Sequence, residues 1–179
     1  SLRYCRKMMF CVQNKEMPSP PINQREIFRY AGIASDDERS KTLIEECLQE
    51  TIGLIRYRVL SAEVSVSLKE DRIDLQGFSL KSASLAEYLS NSSRVILFAA
   101  TIGAEFDRLL ARYSYISPSK AVLLQAIGAE RVEALCDAFC SEEAKKHSLK
   151  ARFSPGYGDL PLSSQKIFFD LLQPQKRIG

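Results

Sequence analysis

The residues from Arg152 to Tyr157, Arg-Phe-Ser-Pro-Gly-Tyr, bring together groups suited to holding a charged small molecule. Arg152 carries a planar guanidinium able to clasp a carboxylate or phosphate through two parallel hydrogen bonds. Pro155 fixes its own φ and biases Ser154 toward extended backbone, which stiffens the strip without a helix or sheet. Gly156 lets the main chain approach a ligand closely, and Tyr157 adds an aromatic face with a polar tip. The same residues also fit a plain loop after a long helix. In that reading Arg152 and the nearby Lys145, Lys146, His147 and Lys150 simply complement the helix's C-terminal end.

A second candidate is Glu133. It borders the apolar stripe Leu124, Gly128, Val132, Leu135 and Phe139, with Ala126, Ala129 and Cys136 on the surrounding turns. A carboxylate among small side chains can look into a recess and hold a cationic centre; it can equally be a solvated helix glutamate. Glu130 is the neighbouring competitor, with Arg131 as its simplest partner. An arginine loop and an acid together suit a ligand carrying both signs of charge, such as a zwitterionic amino-acid derivative with an attached ring.

The elements that must position these groups read as a mixture. Asn23, three residues before Glu26, caps a short helix through Tyr30. Ser35 and Asp36 cap a second, carrying Leu43, Ile44, Cys47, Leu48 and Ile52 to about Leu54. From Arg56 the period changes to two, and an antiparallel hairpin is expected over Tyr57–Leu68 and Ile73–Phe78, turning at Lys69–Asp71. Ser82 or Ser84 starts a short helix with Leu85, Tyr88 and Leu89. Val95–Ala100 is apolar on both parities, which predicts a central strand buried on both faces. A helix with Phe106, Leu109, Leu110 and Tyr113 follows, then a long helix from Pro118 to about His147. Ser163 caps a last helix with Ile167, Phe168, Leu171 and Leu172. Without regular βα alternation, this order favours an α+β fold with a largely antiparallel sheet and one long helix before the candidate loop.

Composition narrows the classes. The 179-residue chain is 45% hydrophobic and 26% charged, which suits one soluble globular domain. A net charge of +3 with interspersed signs does not indicate nucleic acid. No apolar run is long enough to span a membrane. The five cysteines contain no CxxC and no paired Cys/His spacing, so two cysteines and a distant histidine do not make a metal site, and no Ser/His/Asp arrangement that the one histidine could serve stands out. Cys47, Cys136 and Cys140 read as small apolar residues in a reducing, cytoplasmic compartment. Neither GxGxxG nor GxxxxGK is present. Residues 1–21, ending in Met17-Pro18-Ser19-Pro20-Pro21, are expected to be a poorly ordered tail before a domain over 22–179.

The strip Arg152–Tyr157 has the Arg-x-x-x-Gly-Tyr pattern and continues through Gly158 to Lys166, Phe168 to Leu172 and Lys176 to Gly179. With Leu123–Phe139 before it, and Glu26–Gly32 and Leu43–Cys47 near the start, it resembles the activation (reactivation) domain of cobalamin-dependent methionine synthase in its free-standing form. That resemblance implies a twisted antiparallel sheet flanked by helices, with S-adenosyl-L-methionine bound by Arg152, Ser154, Gly156 and Tyr157. It also implies a glutamate on the long helix, assigned to Glu133 in preference to Glu130. The family's N-terminal aspartate contact has no match, and a further C-terminal contact would lie beyond Gly179, so the ligand set is expected to be truncated.

The family's role is repair. The domain presents S-adenosylmethionine to a cobalamin that has fallen out of its catalytic cycle, while a reduced donor such as a flavodoxin supplies an electron. The chemistry then belongs to the corrinoid and the sulfonium, and the protein supplies position. The chain would be a component of methyltransferase activity in methionine biosynthesis rather than a complete enzyme. Its partners would be a cobalamin-binding protein or a methionine synthase core. A non-catalytic subunit that docks on a corrinoid protein without binding S-adenosylmethionine is the alternative. A small-molecule methyltransferase is a third reading.

Overall fold

Local sequence signals place most elements. A computed structural model of the chain describes residues 10–34, 37–69 and 72–177. Asn23 caps α1 (Gln24–Ala31), its side chain accepting from the Glu26 amide, and Gly32 ends the helix with φ 68°. α2 spans Glu38–Thr51 with Asp37 at its N-cap; the predicted cap at Ser35 and Asp36 lies outside the described residues. α3 (Ala83–Tyr88) is capped by Ser82, whose hydroxyl accepts from the Leu85 amide. α4 covers Ala104–Ile116 and α5 covers Pro118–Glu143, so the long helix stops about a turn short of His147. A 3-10 turn at Leu162–Ser164 precedes α6 (Gln165–Leu172) and α7 (Pro174–Arg177). Ser164, not Ser163, therefore stands before α6.

Five strands form one sheet in the order β1-β2-β3-β4, with β5 also paired to β2. They are β1 (Gln13–Glu16), β2 (Arg58–Lys69), β3 (Arg72–Leu75), β4 (Phe78–Lys81) and β5 (Arg94–Thr101). β2 runs antiparallel to β3 with Val66 opposite Leu75, and β3 antiparallel to β4 with Leu75 opposite Phe78. The fold is α+β, as the element order predicts.

The hairpin needs a correction. Ile73–Phe78 is not one strand, because Gln76 and Gly77 take φ of 54° and 87°. Two successive positive φ values make the tight turn whose twist matches a two-residue hairpin, so the chain folds back and β4 begins at Phe78. β5 also departs from expectation. Its Leu97 is buried, but Val95, Ile96 and Phe98 are only half-buried, so the strand is not sealed on both faces.

The chain forms two compact units. One comprises residues 10–14, Leu60–Ala99 and Lys150–Arg177; the other comprises Lys15–Val59 and Ala100–Leu149. In the first, Val64, Val66, Ile73, Leu75 and Leu80 of the sheet share a core with Leu85, Leu89, Leu160, Leu171 and Leu172. In the second, α1, α2, α4 and α5 pack through Ile27, Ile44, Cys47, Phe106, Leu123 and Ile127. Gly128 permits that packing: a Cβ there would lie 2.6 Å from the Phe106 ring. Burial pushes the Cys47 thiol up to about 11, the behaviour of a packing residue rather than a nucleophile.

The segment expected to be a loose tail is partly built in. Residues 13–16 form β1, Met17 is buried, and its amide donates to the Tyr57 carbonyl at 2.8 Å. Arg131 explains the ordering of the prolines that follow. Its guanidinium donates to the carbonyls of Pro20 and Pro21, both at 2.7 Å. A proline-rich strip lacks donors of its own, but its carbonyls remain strong acceptors. Residues 1–9 of the expected tail lie outside the described residues.

Candidate functional site

The loop after α5 is held by contacts within the first unit, several of them reaching back to α3. The Tyr88 hydroxyl donates to the Ala151 carbonyl, while Lys150 donates to the Tyr88 carbonyl. The Tyr88 ring packs on Phe153 with centroids 5.4 Å apart, and Phe153 meets Tyr157 edge-on at 5.2 Å. Beyond that ladder the backbone closes on itself. The Tyr157 amide donates to the Ser154 carbonyl at 3.1 Å, and Gly156 donates to the Leu160 carbonyl at 2.8 Å. Buried Leu160 anchors the far side.

Asp159 fastens the same loop to the start of α3. One carboxylate oxygen accepts from the Ser82 hydroxyl at 2.5 Å and the Ser84 amide at 3.1 Å; the other accepts from the Ala83 amide at 2.7 Å. Ser82 meanwhile takes the Leu85 amide at 3.0 Å. The first three amides of α3, which have no intrahelical partner, are thus all satisfied. A negative charge at a helix N-terminus is favoured as well. The Ser82 hydroxyl and the Ala83 amide hold the Asp159 carboxyl well below the usual carboxylate range, against an opposing contribution from burial.

Two glycines have different reasons to be there. Gly158, with φ 58°, passes so close to Ser84 that a Cβ would lie 2.8 Å from its hydroxyl oxygen. Gly156, with φ 93°, is set by its backbone conformation: a Cβ would meet only Leu162, at an ordinary 3.6 Å. Its amide is used internally and its other face is open. Arg152, Ser154, Gly156 and Tyr157 are all exposed, Tyr157 by 68%. The loop therefore holds its shape through Ala151, Phe153, Asp159 and Leu160, and leaves the four sequence-predicted residues at the surface.

Glu133 belongs to the second unit. It is exposed on α5 and lines a groove of about 1130 Å³ with Ala134, Asp137, Ala138 and Ser141, opposite residues 20–26 and Tyr30. Ala126 is not part of that lining; it is buried in the helical core, so the recess of small residues expected around Glu133 is instead an open groove. Glu130 has the opposite fate. It is 3% exposed, accepts from the Asn23 amide at 2.9 Å, and takes two bonds from Arg131 at 2.6 Å each. Of the two glutamates, Glu133 is the accessible one.

Chemically, the loop offers a guanidinium, a hydroxyl, an open glycine face and a phenol on a fixed backbone, which suits an anionic end and a polar or aromatic body. Glu133 offers a carboxylate for a cation. Tyr88 and Asp159 are the residues that sequence reading assigned no role. The available signal was Ser82-Ala83-Ser84, a cap sequence whose exposed first-turn amides invite a carboxylate.

No family model matches the chain, and no curated protein sequence matches it. Among solved structures it is similar to one described as the crystal structure of the MetH reactivation domain bound to AdoHcy. The TM-score is 0.69 and the identity 16%, over 94% of this chain and 72% of that chain. At that identity the likeness establishes a shared fold.

Proposed function

We propose that this chain binds S-adenosylmethionine and supports reductive methylation of cobalamin in a B12-dependent methionine synthase or a related corrinoid methyltransferase. The observation that carries the reading is the fixed loop 151–160, which displays Arg152, Ser154, Gly156 and Tyr157 in a fold shared with a domain described as bound to AdoHcy. AdoHcy is what S-adenosylmethionine becomes once its methyl group has left. Arg152 would clasp the amino-acid carboxylate, Gly156 would admit the ligand body, and Tyr157 would lie against it. Glu133, in the second unit, is proposed separately as a carboxylate that favours a cationic ligand.

S-adenosylmethionine would supply the methyl group, and a partner's corrinoid the reducible cobalt. This chain's residues hold and orient; a fixed loop lowers the cost of ordering on binding. The partners would be a cobalamin-binding protein or methionine synthase core and a reduced donor such as a flavodoxin, in the cytoplasm. Among the described residues no helix is long and apolar enough to cross a membrane.

Titration calorimetry with S-adenosylmethionine and with AdoHcy tests the reading. Arg152→Ala should weaken binding roughly tenfold to a hundredfold, the scale of charge-assisted hydrogen bonds. Lys166→Ala, an exposed charge on α6, should change it little. No heat at millimolar ligand, or equal losses from both variants, rejects the proposal. Exposed Tyr157, Leu162 and Phe169 also favour the docking reading, in which the chain engages a corrinoid protein without the small molecule. Capture of such a protein, unaffected by added S-adenosylmethionine and weakened by Leu162→Ser, would select it.

A further inference from the structure

We infer that Asp159 and Tyr88 are positioning residues: through the first turn and the last residue of α3 they hold residues 151–158 in one receptive conformation before any ligand arrives. The ligand half of this inference rests on the reading above; the conformational half does not.

The geometry carries it. α3 is only six residues long, yet both of its ends are committed to the loop. At its start, three donors converge on the Asp159 carboxylate. At its end, Tyr88 holds Ala151 through its hydroxyl and Lys150 through its carbonyl, and its ring begins the stack that reaches Tyr157 through Phe153. The two anchors bracket Arg152, Ser154, Gly156 and Tyr157. Leu85 and Leu89 fix α3 itself in the core of the same unit. Gly158 lets the backbone come near enough to Ser84 for the carboxylate to reach its donors. Neither anchoring side chain needs to touch the ligand.

The test uses the 179-residue chain and reads the loop twice. The first reading needs no ligand: tryptic cleavage after Lys150 and Arg152, followed by mass, reports how often the loop opens. Asp159→Ala should accelerate cleavage roughly tenfold or more, and Tyr88→Phe about fivefold, as expected for charged and neutral hydrogen bonds respectively. Asp159→Asn should recover part of the loss, because its amide oxygen can still accept from Ser82 and Ser84. Cleavage within α4 and α5 should stay at the wild-type rate for Tyr88→Phe and Asp159→Asn, so these two variants decide the matter even if Asp159→Ala unfolds.

The second reading is calorimetric affinity for AdoHcy, which should fall in the same order as cleavage rises. Unchanged loop cleavage in all three variants overturns the inference. Faster cleavage with unchanged AdoHcy affinity overturns its ligand half. A wild-type chain that binds no AdoHcy, while its variants still open faster, rejects the proposed function and leaves the conformational anchor standing.

Discussion

Glu130 and Arg131 are neighbours in sequence, yet both side chains are almost wholly buried and pair with each other, at 2.6 Å from the Arg131 Nε to a Glu130 oxygen. Successive helix residues diverge by about 100°, so such a pair forms only when something draws both side chains the same way. Here the draw is the Pro20–Asn23 segment, whose two carbonyls and one amide complete the network. The pair fastens an otherwise donor-poor strip to α5.

Breaking that network should be costly. Arg131→Met leaves the Glu130 charge buried without its partner, and a loss of about 3–5 kcal/mol is expected for such a break. Urea denaturation measures it. A loss below about 1 kcal/mol would mean that the pair is solvated in solution.

The two candidate glutamates should separate cleanly. Glu130→Gln should lower the denaturation midpoint, because it removes a buried charge from beside Arg131. Glu133→Gln should leave the midpoint alone and weaken S-adenosylmethionine about two- to fivefold, the scale of a partly exposed ion pair. Calorimetry and denaturation on both variants give the answer, and the reverse pattern would move the ligand role to Glu130.

Gly158→Ala should destabilise the loop twice over. A left-handed backbone costs an alanine about 1–2 kcal/mol, and the added methyl group would press on Ser84. Pairing it with Ser84→Gly should recover the crowding and not the backbone strain. A double-mutant cycle read by denaturation should therefore show favourable coupling between the two sites.

The Asp159 anchor has a defined dependence on acid. Its carboxyl is held below the ordinary range by the Ser82 hydroxyl and the Ala83 amide, so the folded state prefers the charged form. Its stabilisation is complete above the unfolded carboxylate value of about 3.9 and disappears as pH falls through the lower folded value. Exchange of the Gly156 and Leu160 amides, corrected for intrinsic rate, should show constant protection from pH 5 to 8 and loss only in stronger acid. A transition near pH 6.5 would point to a histidine instead.

Short-range signals were the legible part of the sequence. Asn23, Ser82 and Pro118 mark helix starts because a cap or a restricted φ acts within a few residues. The α+β class follows from strands and helices mixed without regular βα alternation. The turn at Gln76-Gly77 was missed because a glutamine rarely takes positive φ, and alternation alone runs straight through it. The half-exposure of β5 was missed because apolar residues on both parities say what a strand tolerates, not what covers it. Arg152, Gly156 and Tyr157 are proposed from their residue types, and Ser154 from the resemblance. Their anchors were missed, because Asp159 meets Ser82 across 77 positions, and only the fold supplies that meeting.

That separation bears on how the protein is made. The turn of helix at Ala83 leaves the ribosome long before the acid that completes it, so the nascent chain carries bare amides there while the whole of α4 and α5 is synthesised. The unit that owns the loop cannot close until its last segment emerges, and the candidate ligand surface comes into being in that closing step. A translation product halted before Asp159 would lack the helix's acidic cap and the finished loop at once.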